Sequence, residues 1–235
     1  MAKNLKIKDF SIVIAVRDHN PDILTYDFLK SSGAMATDWE LARPPVLSDR
    51  STKIVLKNGI RIKAKSGNVS VSEGMVEPKT SEGMKIAELV SKYAAALPNL
   101  DYRAVGIKPR LFATFGDSSE TAHKYITEKI LSPGAWQEVG DKTMQTGINI
   151  MYSLNKVPLR LNIKEAKLQM FGQEAISSIL FSGNFHHDLV RENEKDKLNI
   201  LQNQLKNWQT DWDAFQDILA TKFLNQTSWK SIMAA

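Results

Sequence analysis

Along the last stretch of the chain, apolar residues stand at Leu198, Leu201, Leu205, Trp208, Trp212, Phe215 and Leu219, in alternating steps of three and four. That spacing predicts one long helix over about 193–224, with one wet and one dry face. At 1.5 Å per residue it would reach roughly 45 Å. Two tryptophans and a phenylalanine give its dry stripe the largest apolar payload in the sequence. The stripe must be buried, either on the chain's own sheet or against a second copy. In the second case Leu201, Leu205, Trp208, Trp212, Phe215 and Leu219 form the contact, and the tryptophans suit an interface centre.

Period-two patterns mark the strands. Phe10, Ile12, Ile14 and Val16 alternate with Ser11, Val13, Ala15 and Arg17, and both faces are apolar enough for a central strand. Asn20-Pro21-Asp22 then reads as cap, first helical residue and dipole-matched acid, opening a helix that runs to Lys30 and stops at Gly33. An irregular crossing follows, with Trp39 and Leu41 tacked onto the body. Ile54, Leu56, Ile60, Ile62, Ala64, Val69 and Val71 belong on one face of a meander. A two-residue turn at Asn58-Gly59 would mix its faces. A three-residue loop, Lys57-Asn58-Gly59 with Gly59 left-handed, pairs Leu56 with Ile60 and Ile54 with Ile62. At Ser66-Gly67 a two-residue turn keeps the register.

A helix over about 82–97 carries Ile86, Leu89, Val90, Tyr93 and Leu97, and Pro98-Asn99 ends it. In the next strand, Tyr102–Phe115, Gly106 and Pro109 argue for a bulge or an edge position. Asp117 or Ser118 caps a helix over 119–131, with Ala122, Tyr125, Ile126 and Ile130 inward. Three strands follow, about 144–154, 159–170 and 176–186. The middle one changes phase, from Leu159, Leu161 and Ile163 to Ala166, Leu168 and Met170, which predicts a bulge near Lys164-Glu165.

The two halves, about 1–98 and 99–226, each read strand, helix, three strands, helix. The fold expected is α+β: one pseudo-duplicated body spanning 1–235, with an antiparallel sheet, segregated helices and the long C-terminal helix. Two separate domains joined at Pro98-Asn99 are the alternative, but that joint is short for a flexible linker.

Composition adds limits. Of 235 residues, 43% are apolar and 24% charged, an ordinary soluble proportion. No apolar run approaches a membrane span of about 18 residues. The short run SIVIAV meets Arg17 and Asp18 and reads as a strand, not as a leader. The absence of cysteine removes disulfides and thiolate chemistry and fits a cytoplasmic location. The net charge of +5 is uneven: residues 1–110 hold 18 Lys/Arg against 12 Asp/Glu, the rest 13 against 14. On the meander, Lys53, Arg61, Lys63 and Lys65 share the face opposite the apolar one. They are the candidate polyanion contacts, though that face lacks the aromatics that stack on bases. A solvated face with lysines guarding an edge explains the same residues.

Other chemistry is sparse. Phe185-His186-His187-Asp188 could hold a metal only if His187 and Asp188 turned together after a strand ending at His186. No GxSxG, GxGxxG or phosphate-binding lysine loop occurs, so no catalytic residue and no cofactor are expected. Asp211, Asp213 and Asp217 read as solvating the long helix.

The stretches NPDILTYDFLKSSGAMATDWELARPP, YRAVGIKPR and FSGNFHHDL resemble an uncharacterised bacterial family of cyanobacterial type, whose members are called hypothetical proteins. The resemblance implies a bacterial cytoplasmic protein and supplies no catalytic residue. The expectation is a non-enzymatic binding or assembly protein, a homo-oligomer or one with a protein partner, and not a membrane protein. A nucleic-acid-associated protein using the basic meander face is the second reading. A metal-dependent enzyme around His186 and His187 is the third.

Overall fold

The first strand pattern becomes β1 (Asn4–Val16), whose Phe10, Ile12, Ile14 and Val16 are buried while Ser11, Val13 and Ala15 stay half-buried on the other side. The computed structural model describes residues 4–74, 84–115, 120–140, 144–154, 157–169, 174–190 and 194–225. Around β1 the chain builds a nine-stranded sheet in which every pairing is antiparallel. The strands are β2 (Val46–Ser48), β3 (Ser51–Val55), β4 (Ile60–Lys65), β5 (Asn68–Gly74), β6 (Tyr102–Thr114), β7 (Gly147–Leu154), β8 (Val157–Leu168) and β9 (Ile176–Asp188). Their order is β2-β3-β4-β5-β1-β6-β9-β8-β7. The architecture is α+β, and one apolar core runs through both halves of the chain.

The α-helices among the described residues are α1 (Tyr26–Ser31), α2 (Ile86–Ala96), α3 (Glu120–Lys124), α4 (Glu194–Lys206) and α5 (Trp208–Ile218). Those that pack on the sheet meet its apolar side. Phe10 lies 4.8 Å from the Trp208 ring and 5.4 Å from that of Trp212. Tyr93 of α2 reaches His19, and Phe181 meets Phe223 just beyond α5. No described helix is long and apolar enough to cross a membrane.

The meander register follows apolar burial. Ile54 pairs with Ile62, the Leu56 N–H donates to the Ile60 carbonyl at 2.9 Å, and Gly59 has φ +88°. Lys65 pairs with Asn68 and Ala64 with Val69, the two-residue connection expected at Ser66-Gly67. Leu41 bridges Leu56, and the Tyr26 hydroxyl donates to the Trp39 carbonyl, which holds the crossing segment to the body.

Of the two readings of the dry stripe, packing into the chain's own core is the one observed. Leu201, Leu205, Trp208, Trp212, Phe215 and Leu219 are all buried in the chain's own core. The helix is not one rod. It breaks at Asn207, where the Thr210 N–H bonds the Asn207 carbonyl three residues back, and it ends in a wider π turn over Leu219–Phe223. Asparagine holds a helix interior poorly, since its side chain competes for backbone groups. The first helix is also split. Asn20 caps a short 3₁₀ turn, Pro21–Ile23, and Thr25 caps α1 afresh. The helix at 119–131 becomes α3 followed by a π-helical segment, Tyr125–Ile130; its expected caps at 117 and 118 lie outside the described residues.

β6 is no edge strand. It is paired on both sides, by β1 and β9. Pro109 is tolerated because the β6–β9 pairing skips from Ile107–Phe185 to Arg110–Ser182, so no ladder bond needs its missing N–H. The β1–β6 pair carries two bulges elsewhere, at Lys8 on β1 and at Arg103 on β6. The bulge expected near Lys164-Glu165 does not exist, for β8 keeps an unbroken register with both neighbours. Ala166 and Leu168 simply lie on the other face, where they pair with Ser178 and Ile176.

Candidate binding face

The face of the sheet turned away from these helices carries the charge. Alternation places Lys53 of β3, Arg61, Lys63 and Lys65 of β4, Lys108 and Arg110 of β6, and Arg160 and Lys164 of β8 on it. Between them stand Ser11, Ser70, Ser72, Ser182, Asn149, Asn162 and Asn184. Two carboxylates share this face on the described strands. Asp9 is held by Arg110, whose Nε donates to Oδ1 at 2.6 Å and whose Nη2 donates to Oδ2. Asp188, at the end of β9, accepts the Val190 N–H. The Lys8 bulge creates the first of these pairings, because it shifts Asp9 into line with Arg110.

The four cations singled out in the sequence lie together. Lys53 stands directly opposite Lys63 on the neighbouring strand, and no described carboxylate is within ion-pair distance of either. Like charges so placed repel. Arg61 lies two pairs further along, on the same face, opposite Val55 on one side and Ser72 on the other.

Reading along the sequence missed the other half of the face. From β5 to β7 it dips into a trough of about 750 Å³, lined by Ser11, Ser70, Ser72, Lys108, Arg110, Asn149, Arg160, Asn162, Ser182 and Asn184, with Val13 and Met151 at its floor and rim. Burial in the trough wall holds Lys108 below the ordinary lysine pKa. Lys8, stacked 5.2 Å over the Phe112 ring, is also lowered, by burial first and then by the Arg110 guanidinium. The Oδ1 of Asn184 is buried without a hydrogen-bond partner beside Gly106, where the β6–β9 ladder opens around Pro109. The signal for this trough was the polar alternation Ser11, Ser70 and Ser72. It gains meaning only when β6, β8 and β9 are known to lie beside those strands.

The histidine candidates diverge. β9 continues to Asp188, so His186 is exposed on the bare face and His187 points inward, its Nε2 2.6 Å from Asp211 Oδ2. His187 and Asp188 therefore do not turn toward one ion, and among the described residues no group of three or more His, Asp or Glu is placed to hold a metal. Asp211 does not solvate its helix; it is buried against that histidine. A smaller concavity of about 390 Å³ lies by Trp39, Glu40, Lys57 and Glu73, and there Lys57 and Glu40 neutralise each other.

No protein-family model matches the chain, and no curated protein is similar enough to count as a relative.

Proposed function

We propose that this is a non-enzymatic binding protein whose bare sheet face docks an acidic protein surface. The single observation that carries the reading is the Lys53–Lys63 pair, two cations opposed across strands without a described carboxylate between them. An arriving carboxylate would relieve that repulsion. The trough hydroxyls and amides of Ser72, Ser182 and Asn162 would accept or donate the accompanying hydrogen bonds. Flexible lysines on a broad, shallow face suit an extended partner more than a small substrate.

Nucleic acid is the second reading, favoured by the run Arg61, Lys63, Lys65 along one strand. Among the described residues this face offers no exposed aromatic for base stacking, so such binding would rest on backbone phosphates. Retention of the full chain on immobilised poly-glutamate, heparin and duplex DNA across a salt gradient separates the readings. Lys53→Ser together with Lys63→Ser should elute from poly-glutamate at clearly lower salt. Equal elution of variant and parent would remove the reading. Sub-micromolar affinity for an oligonucleotide at about 150 mM salt would transfer the face to nucleic acid.

We also propose that the sheet is a structural duplication. Outward from the central β1–β6 pair, one side runs β5, β4, β3 and the other β9, β8, β7. That matched order supports two copies of one unit related by a pseudo-twofold axis, with β2 an addition to the first. A cytoplasmic bacterial setting is the location we favour, in keeping with a chain free of cysteine.

A further inference from the structure

The two edges of the sheet are built differently. β2 spans three residues, follows Pro44-Pro45 and Arg43, and is succeeded by Asp49 and Arg50. Short length, proline and charge are the devices by which monomeric proteins guard an edge. β7 has none of them. Its eight residues, GINIMYSL, carry no charge and no proline, and it pairs with β8 without a register shift. β-branched and aromatic residues favour extended pairing, and no described strand lies on its outer side. Its residues toward the helices, Ile148, Ile150, Tyr152 and Leu154, are only partly buried, and Met151 on the bare face is 62% exposed.

From this we infer that β7 is the seam of a homodimer, pairing antiparallel with β7 of a second copy about a twofold axis normal to the sheet. The nine strands of each copy would then form one sheet of eighteen (twice nine). The occupant is a second copy for three reasons. A twofold normal to the sheet keeps both helical layers on one side, so the half-buried apolar stripe of each copy closes against its own counterpart. The register centred on Met151 sets Met151 opposite its own counterpart and Ile150 opposite Tyr152, so same-face residues meet. An uncharged strand opposes no like charge when it meets itself, whereas the acidic partner suited to the bare face finds no complementary charge on this edge.

The experiment uses the full chain, which has no native cysteine. Met151→Cys should cross-link under mild oxidation into a species of twice the 26.4 kDa chain mass, since residues facing across such an axis lie within disulfide reach. Leu47→Cys, equally exposed but on β2, should stay monomeric under the same oxidation. Without oxidant, sedimentation should give a dimer for the parent chain. Met151→Lys, which sets like charges across the axis, should give a monomer with an unchanged far-ultraviolet spectrum. A monomeric parent at high concentration, equal cross-linking at Leu47→Cys, or a dimer that ignores Met151→Lys would each overturn the assignment.

Discussion

His187 Nε2 lies 2.6 Å from Asp211 Oδ2, tying the end of β9 to the first turn of α5. Both side chains are largely shielded from water, with 9% and 12% exposure. A shielded polar group that loses its partner costs about 1–3 kcal/mol. Asp211→Ala should lower the free energy of unfolding by that amount, and Asp211→Asn by less, since an amide oxygen still accepts. Urea denaturation of both variants checks the order. A double substitution with His187→Ala should cost less than the sum of the two single changes.

Phe215 rests on Gly183. A Cβ built on that glycine would stand 2.7 Å from the ring and 3.2 Å from Pro109 Cγ. Gly183→Ala should therefore lift α5 from the sheet and destabilise by about 1–3 kcal/mol, the usual cost of overpacking. Trp212→Ala, one turn back, should cost about 3–5 kcal/mol and nearly unfold the chain. Neither change should turn a dimer into a folded monomer, because this stripe faces inward. Calorimetry and sedimentation of both variants test that.

Gly59 sits at φ +88° in the loop that sets the meander register, and the Asn58 side chain accepts the Ile60 N–H at 3.2 Å. Gly59→Val should destabilise by roughly 1–2 kcal/mol, since a β-branched residue tolerates positive φ poorly. Gly67→Ala at the next turn is the control. Space around it is open and its φ lies outside the left-handed region, so its melting temperature should stay close to the parent's.

Stability should depend on pH through His19. Its Nε2 lies 2.7 Å from Tyr93 Oη in the core, and burial holds its pKa below 6.5. The unfolded chain then binds the proton more readily than the folded one. The contribution is fully present above about pH 6.5 and is lost as pH falls from there through the folded pKa. Urea midpoints of the parent and of His19→Gln between about pH 5 and 8 should diverge on the acidic side, the parent losing more.

Local periodicity carried much of the fold. Leu56, Ile60 and Ile62 fixed a loop length because a one-residue slip would have turned each of them to water. Where two faces are apolar, the same reasoning misled. Ala166 and Leu168 looked like inward residues after a bulge, yet they line the other face beside Ile176 and Ser178. Pro109 suggested an edge because sequence shows a missing donor but not whether its neighbour needs one. The trough and the His187–Asp211 pair were illegible for a simpler reason. Each joins residues whose nearness depends on strand order, and strand order is set by long-range pairing.

The pairing of β1 with β6 has a kinetic consequence. Asn4 meets Thr114, and Ile12 meets Ile107, so the centre of the sheet closes a loop that contains nearly half the chain. Contacts so distant in sequence form late, because loop closure must be completed before they reward it. β1, β3, β4 and β5 precede β6 in the chain and can assemble first, as a small meander. Until β6 arrives, the free edge of β1 is a long apolar strand with its backbone groups unpaired. That interval, more than any weakness of the finished molecule, is when the chain is most exposed to aggregation.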